Sequence, residues 1–325
     1  MSLKHTAGAV LALMLSAAAA RASADAIYKR GVALERSGRK SEALDRYRRA
    51  INRDAEHLAA HRAYQRLMIE GGKRDELIGK YDKLLARDPA KPLHKYLRHR
   101  LEPDAEKRRE KLEVITSVDP NFFWAYYELA GLYALKGRLD LAVMRAERAR
   151  DILVAKRKDD AEVRNTLGNL YVQAGKTKEA AAEFEKAVEV DPAFAEPYYN
   201  LALIKAGRGK TAEAEGYFKK AIELRPKFAE AYCSLGHLYG RGGKLGEAIS
   251  QYKKAIEIKS DYGLAYNNLA VAHFKQGKKW LAMANLQRAK AHGFMVNPAF
   301  ERAVIRSLGD EWQAPPEKKD SQERN

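Results

Sequence analysis

Two pairs of side chains in this 325-residue chain have a spacing that could support chemistry. His57 and His61 stand four residues apart, an interval that sets two imidazoles on one face of a helix and can hold a metal ion. Cys233 and His237 have the same interval, which on a helix would place a thiol beside a base. Each pair lacks the further group its chemistry needs. No acid accompanies the histidines as in H-E-x-x-H, and His57 falls at a junction between helices, so no metal site is expected. A cysteine nucleophile needs a base and an orienting group around a cleft; without one, Cys233 and His237 read as lining the inner face of a helix. No Walker loop, G-x-G-x-x-G or nucleophile elbow occurs. The expectation is a non-enzyme without cofactor or catalytic domain.

The elements that must carry these residues follow from a repeat. Residues 161–262 are three copies of a 34-residue unit. Leu167, Leu201 and Leu235 align, each followed by a small residue (Gly168, Ala202, Gly236), a glycine (Gly175, Gly209, Gly243) and an alanine (Ala180, Ala214, Ala248). An aromatic comes next (Phe184, Phe218, Tyr252), then Ala187, Ala221 or Ala255, and Pro192 or Pro226 closes the first two copies. A fixed period of this length marks a stacked-repeat architecture. Within one copy, apolar and small residues sit three and four apart over roughly 162–174 and 178–190, as two amphipathic helices require. A lone hairpin of this kind leaves apolar surface wet, so the next copy must cover it.

The unit resembles the tetratricopeptide repeat (TPR), whose signature is met by Leu167, Gly168, Tyr171, Ala180, Phe184, Ala187 and Pro192. The resemblance implies an all-α fold, a right-handed α-solenoid of about eight helical hairpins with a C-terminal capping helix. In this family the first helix of each hairpin lines a concave groove, with places 2, 5, 6, 9, 12 and 13 of the repeat facing it. Carried over, these places give Lys29, Arg36, Arg62 and Arg66 in the first two repeats and Trp124 and Tyr127 in the fourth. Asn165, Asn169, Tyr199, Asn200, His237, Asn267, Asn268 and Lys275 follow. Asn200 and Asn268 match the asparagine ladder of O-linked N-acetylglucosamine transferases, but Thr166 and Ser234 interrupt it. The carboxylate clamp of chaperone-binding TPR domains is unmatched, with Glu230 and Ser234 in place of its lysine and arginine.

Stepping the register back and forward organises the rest. Residues 25–122 hold three repeats, the third degenerate, in which Pro103 is compatible with the first place of the second helix but not with its interior. Residues 123–160 hold a fourth with a lengthened second helix, after which Asp159 and Glu162 have the spacing of a helix cap. Repeats five to eight span 161–296, a capping helix 297–313 and a disordered tail 314–325. Residues 1–24 combine Lys4, an apolar run from Ala7 to Ala20 and Ala22-Ser23-Ala24, the form of a signal peptide cleaved after Ala24. The run is short for a membrane span, and the lone cysteine, Cys233, excludes both N-terminal lipidation and an intramolecular disulfide. A periplasmic or secreted location follows as an expectation, with membrane contact only through a retained leader or a basic surface.

The chain carries 60 Lys+Arg against 43 Asp+Glu, a net +17. The excess is concentrated in residues 29–111. Such a field attracts acidic polypeptide, anionic lipid or nucleic acid, and export disfavours the last. The expected function is a protein-interaction scaffold of the cell envelope, holding an acidic extended peptide or partner protein in its groove. Two alternatives stand beside it: an accessory subunit of an envelope enzyme, secretion, pilus or cytochrome-assembly machine, or adhesion to an anionic lipid or polysaccharide surface through the basic N-terminal half.

Overall fold

A computed structural model describes residues 3–309, with side chains from residue 19 onward. The tail expected at 314–325, the last residues of the expected capping helix and the first two of the expected leader lie outside them. Among the described residues there are seventeen helices and no strand. The chain divides into two compact units, residues 1–175 and 176–325.

The first unit contains α1 (Leu3–Arg36), α2 (Lys40–Arg53), α3 (Leu58–Glu70), α4 (Arg74–Arg87), α5 (Pro92–His99), α6 (Ala105–Val118), α7 (Phe123–Leu135), α8 (Leu139–Ala155) and α9 (Ala161–Gln173). Helix α1 runs unbroken through Ala24, whose side chain has no exposed surface. Among the described residues no helix is long and apolar enough to cross a membrane. Sequential helices pack against one another, and three large rings, Tyr47, Tyr81 and Tyr96, have no exposed surface. A buried phenol needs a partner, and each finds one. Tyr47 donates to Glu35 Oε2 (2.7 Å), Tyr81 meets His61 Nδ1 (2.9 Å) and Tyr96 donates to Glu128 Oε2 (3.0 Å).

Pro103 stays outside the second helix of the third repeat; it precedes Asp104, the N-cap, whose carboxylate accepts from Lys107 N at 2.9 Å. One expectation is corrected: Asp159 does not cap α9. Arg164 draws the Asp159 carboxylate into an ion pair at 2.6 Å, and Asp160 caps the helix instead, accepting from Val163 N at 3.0 Å. Helix α8 spans 17 residues against 14 for α2, α4 and α6, and Arg157, at φ 52°, ends the segment after it.

The second unit contains α10 (Thr177–Val190), α11 (Ala195–Gly207), α12 (Thr211–Leu224), α13 (Ala229–Arg241), α14 (Leu245–Ile258), α15 (Gly263–Lys275), α16 (Lys279–Ala291) and α17 (Pro298–Leu308). Its three complete hairpins turn alike. Gly209, Gly243 and Gly277 adopt φ of 74–76°, a conformation that costs glycine nothing. After Gly209, Lys210 N bonds back to Lys205 O at 3.0 Å, closing the end of α11 in a Schellman turn.

Inside a hairpin the helices approach until a side chain no longer fits. A Cβ on Gly236 would lie 2.7 Å from Tyr252 Cε1, and one on Gly31, in the first unit, 2.7 Å from Tyr47 Cε1. The small residue and the facing ring therefore form one close contact repeated along the chain. Helix α17 seals the last hairpin, with Val304 and Leu308 packed into a cluster with Tyr266, Ala270, Met283 and Leu286.

Candidate functional site: the inner faces of the two units

The two pairs that opened the sequence reading are occupied by the fold. His57 caps α3, its Nδ1 accepting from Ala60 N (3.2 Å) while Nε2 faces Asp25 Oδ1 (3.0 Å). His61 spends both nitrogens on Tyr81 Oη and Ala55 O (3.0 Å), and burial pushes its pKa down to about 4, so it is neutral in the fold. Among the described residues no three His, Cys, Asp or Glu side chains are grouped to hold a metal ion. Cys233 is 2% exposed. Burial pushes its pKa up to about 11, although Asn268 Nδ2 donates to the sulfur at 3.6 Å. A protonated, buried thiol is a poor nucleophile.

On the inner face of the first unit, Arg62, Arg66 and Trp124 gather with Tyr28, Ala59, Ala63, Arg100 and Glu162 around a cavity of about 160 Å³. Side chains of α1, α3, α7 and α9 thus meet across one small space. The Arg62 guanidinium lies over two rings at once, 4.0 Å from the Trp124 centroid and 4.8 Å from that of Tyr127. A desolvated contact of this kind is worth about 2 kcal/mol. Burial works against the charge of Arg62, but the oxygens of Tyr96, Glu162, Tyr127 and Glu128 outweigh it and its pKa lies above the ordinary arginine value.

This arrangement changes what the predicted groove residues offer. Trp124 is 8% exposed beneath Arg62, so it packs the interior and is no open anchor for a partner. Tyr127 is half-buried, with its hydroxyl shared between Glu162 Oε1 (3.1 Å) and Thr166 Oγ1 (3.0 Å). Arg66 is paired with Glu35 through both guanidinium nitrogens. Burial would raise the Glu35 carboxyl, but hydrogen bonds from Arg66 and Tyr47 hold it below its usual value. Lys29 and Arg36 are exposed on α1, and Asn165 (buried) and Asn169 (half-buried) lie on α9; none of the four lines the cavity. Other cations of the basic stretch are also matched at short range, among them Lys91 to Glu56 (2.6 Å), Arg98 to Asp82 (2.5 Å) and Lys111 to Glu102 (2.6 Å).

The inner face of the second unit is different. Two adjoining clefts, about 290 Å³ and 210 Å³, share His237, Arg241 and Asn268. The larger is walled by Leu203, Phe218, Leu238 and Leu264, with Cys233 and Ser234 among its lining; the smaller adds Val271, Ala272 and Lys275. Leu203 is 43% and Leu264 38% exposed, more than packing alone requires. No acidic side chain among the described residues lines either cleft. The pKa of His237 is lowered by burial and then by Arg241 and Lys275, so three basic groups face one another there. Tyr199 turns away from the clefts into the core, against Phe228 (4.9 Å between centroids) and within 3.4 Å of Ser234 Oγ. Asn200 and Asn267 are half-buried and line neither cleft.

Several lining residues outside the expected groove set also stand at inward-facing places of the repeat. Arg241 occupies the thirteenth place of its repeat as Lys275 does of the next, and Leu203 and Leu264 hold the ninth and second places. Tyr28, Arg100 and Glu162 stand at the fifth, ninth and second places of theirs. The apolar ones carry no signal of their own, because an exposed leucine and a core leucine look alike in a periodic pattern.

With this geometry in view, models of one repeat family match the chain in five places. Those described as "Tetratricopeptide repeat" cover residues 25–57, 121–193, 165–231 and 217–250, and one described as "TPR repeat" covers 241–277. Together they take in more than half of the chain. No curated protein sequence matches it. Among solved structures, a crystal structure of the APC/C hetero-tetramer Cut9–Hcn1 is similar over 82% of this chain, at 17% identity and a TM-score of 0.65. That match covers 52% of the other chain, so this one spans about half its length; the shared property is the fold. A crystal structure of MamA has 27% identity and a TM-score of 0.45, covering 51% of this chain and 94% of that one. The structure of YrrB, described as a TPR protein with an unusual peptide-binding site, has 21% identity and a TM-score of 0.46, covering 61% and 98%.

Proposed function

Because this chain belongs to the tetratricopeptide-repeat family, we propose that it is a non-enzymatic interaction scaffold whose second unit holds an extended, acidic segment of a partner protein. The observation that carries this reading is the pair of clefts across α11, α13 and α15. They combine exposed leucines, an amide at Asn268 and three facing basic groups, with no acidic side chain in the lining. Leucine walls favour an apolar side chain, while the charges of Arg241 and Lys275, beside the His237 imidazole that burial and these two cations keep from charging, favour a carboxylate next to it. In the first unit, by contrast, Arg66 is spent on Glu35 and Trp124 is covered, so the acidic segment is assigned to the second. The matched ion pairs of the basic stretch likewise weaken the case for adhesion to an anionic surface.

The test is direct binding of a fluorescein-labelled decapeptide of alternating glutamate and leucine, followed by anisotropy. Reversing Arg241 and Lys275 together to Glu should weaken binding by at least about 10-fold and flatten its dependence on ionic strength. Reversing Lys253 and Lys279, exposed and outside both clefts, should leave it within about 2-fold. If the second pair weakens binding as much as the first, the assignment to the clefts fails.

The setting we propose is the cell envelope, supported by the leader-like composition of residues 1–24. N-terminal sequencing of the protein recovered from its native cell should begin at Asp25. Recovery of the intact N-terminus in the cytoplasm would overturn the export reading and leave the clefts unaffected.

A further inference from the structure

The first unit encloses a guanidinium whose edge has no hydrogen-bonding partner. Among the described residues, Arg62 makes no hydrogen bond and no ion pair, and its Nε is fully buried with no acceptor. Its neighbours are already committed: Arg66 to Glu35, and Arg100 to Glu128 at 2.8 Å. Buried polar groups are almost always paired, and a guanidinium has five N–H donors to place. Trp124 and Tyr127 take the face of the guanidinium and supply no acceptor to its edge. Beside Arg62 lies the cavity of about 160 Å³.

We propose that this cavity is a binding site for a small monocarboxylate, held by Arg62. A carboxylate is the planar anion whose two oxygens match the guanidinium fork, and the stacked rings hold that fork in one orientation. Ala59, Ala63 and the Trp124 ring offer an apolar wall for a short alkyl part. The charge of the site selects a monoanion over a phosphate. Glu162 lines the same cavity, and Asp160 adds to the field on Arg62, so the positive charge of the site is already partly balanced and a second negative charge on the ligand is repelled. Glu162 does not already fill the role, because its carboxylate accepts from Tyr127 Oη at 3.1 Å and forms no ion pair with Arg62. The carboxylate has two sources, a free short-chain acid or a side chain presented by another protein. This proposal stands on the first unit and is independent of the clefts in the second.

Trp124 is the reporter. In a protein carrying Trp280→Phe and Trp312→Phe it is the only tryptophan, and sodium acetate is titrated against sodium chloride at constant ionic strength. A saturable change in Trp124 fluorescence is expected, with half-saturation roughly in the millimolar range for so small a ligand. Acetamide and inorganic phosphate at the same concentrations should give none. Arg62→Gln should weaken the response at least about 10-fold at unchanged far-ultraviolet circular dichroism. Should that variant not fold, Arg62→Lys, which keeps the charge and loses the fork, should weaken it by a smaller factor. Line broadening of ¹³C-acetate by the unsubstituted protein gives the same reading without any substitution. To separate the sources, acetyl-Gly-Asp-Gly-amide is compared with acetate: tighter binding of the peptide supports a protein-borne carboxylate, and binding of acetate alone supports a free acid. A response that is not saturable, or is equal for acetamide or phosphate, or survives unchanged in both Arg62 variants, overturns the proposal.

Discussion

Gly236→Ala adds one methyl group to α13, and its effect can be worked out from two opposing contributions. In an unhindered helix interior, Gly→Ala is worth about 1 kcal/mol in favour of the fold. At this position the new Cβ would stand 2.7 Å from Tyr252 Cε1, 2.9 Å from Cδ1 and 3.1 Å from the backbone oxygen of Ala248. Separations below 3.0 Å essentially never occur for real Cβ atoms, so something must move. Tyr252 is 3% exposed within a cluster that includes Ala255, Ala265 and Leu269, and although its ring borders the smaller cleft, moving it disturbs that packing. Overpacking of this kind costs about 1–3 kcal/mol, leaving a net destabilisation of about 1 kcal/mol. Gly216→Ala in α12 is the matched control, because nothing lies within 4 Å of its Cβ; it should stabilise by about 1 kcal/mol. The two variants therefore differ by about 2 kcal/mol, which at a urea m-value of about 2 kcal/mol/M separates their midpoints by about 1 M. Tyr252→Leu removes the ring atoms in question, and a double-mutant cycle with Gly236→Ala should show favourable coupling; Tyr252→Phe keeps those atoms and should show none. If Gly236→Ala stabilised the protein as Gly216→Ala does, the close approach would not be what holds the hairpin together.

Two further outcomes follow from titrating groups. Cys233, protonated to about pH 11 and almost without exposed surface, should react with iodoacetamide at pH 8 at least ~100-fold more slowly in the native protein than in urea, and equal rates would show that α13 and α15 do not cover it. His61 has a folded pKa near 4, below the usual unfolded value of about 6.5, so the unfolded chain takes up its proton first; its contribution to stability is complete above about pH 6.5 and declines by up to about 1.4 kcal/mol per pH unit as the pH falls toward 4. His61→Gln should flatten the pH dependence of the urea midpoint across that window, and an imidazole resonance of His61 titrating near 6.5 would refute the assignment.

The repeat was open to reading because its period is enforced by packing: Leu201, Ala214, Phe218 and Ala221 recur where two helices must meet, and all are buried. A register also tells which face a residue occupies. It does not tell which neighbour reaches it first. Arg62 stands at an inward-facing place of the repeat, yet nothing in a linear pattern says that its guanidinium lies over Trp124, 62 residues away, and closes that ring to a partner. Asp160 stands at the N-cap of α9, whereas Asp159, one residue earlier, is paired with Arg164. The acid-free stretch around His237 was obscured for a related reason: it is assembled from α11, α12, α13, α14 and α15, each contributing a few residues.

The unbroken course of α1 through Ala24 imposes a schedule if the leader is removed there. A peptidase acts on extended backbone, whereas in the finished fold this residue is helical and has no exposed surface. Processing must then come before the first hairpin closes, while the segment is still emerging as an unstructured chain. A protein that folded first would be locked against its own maturation. Asp25 would be the new first residue, already in place against His57 at 3.0 Å, where its carboxylate complements the positive end of the shortened helix. The cut would leave behind a helix start equipped to hold itself.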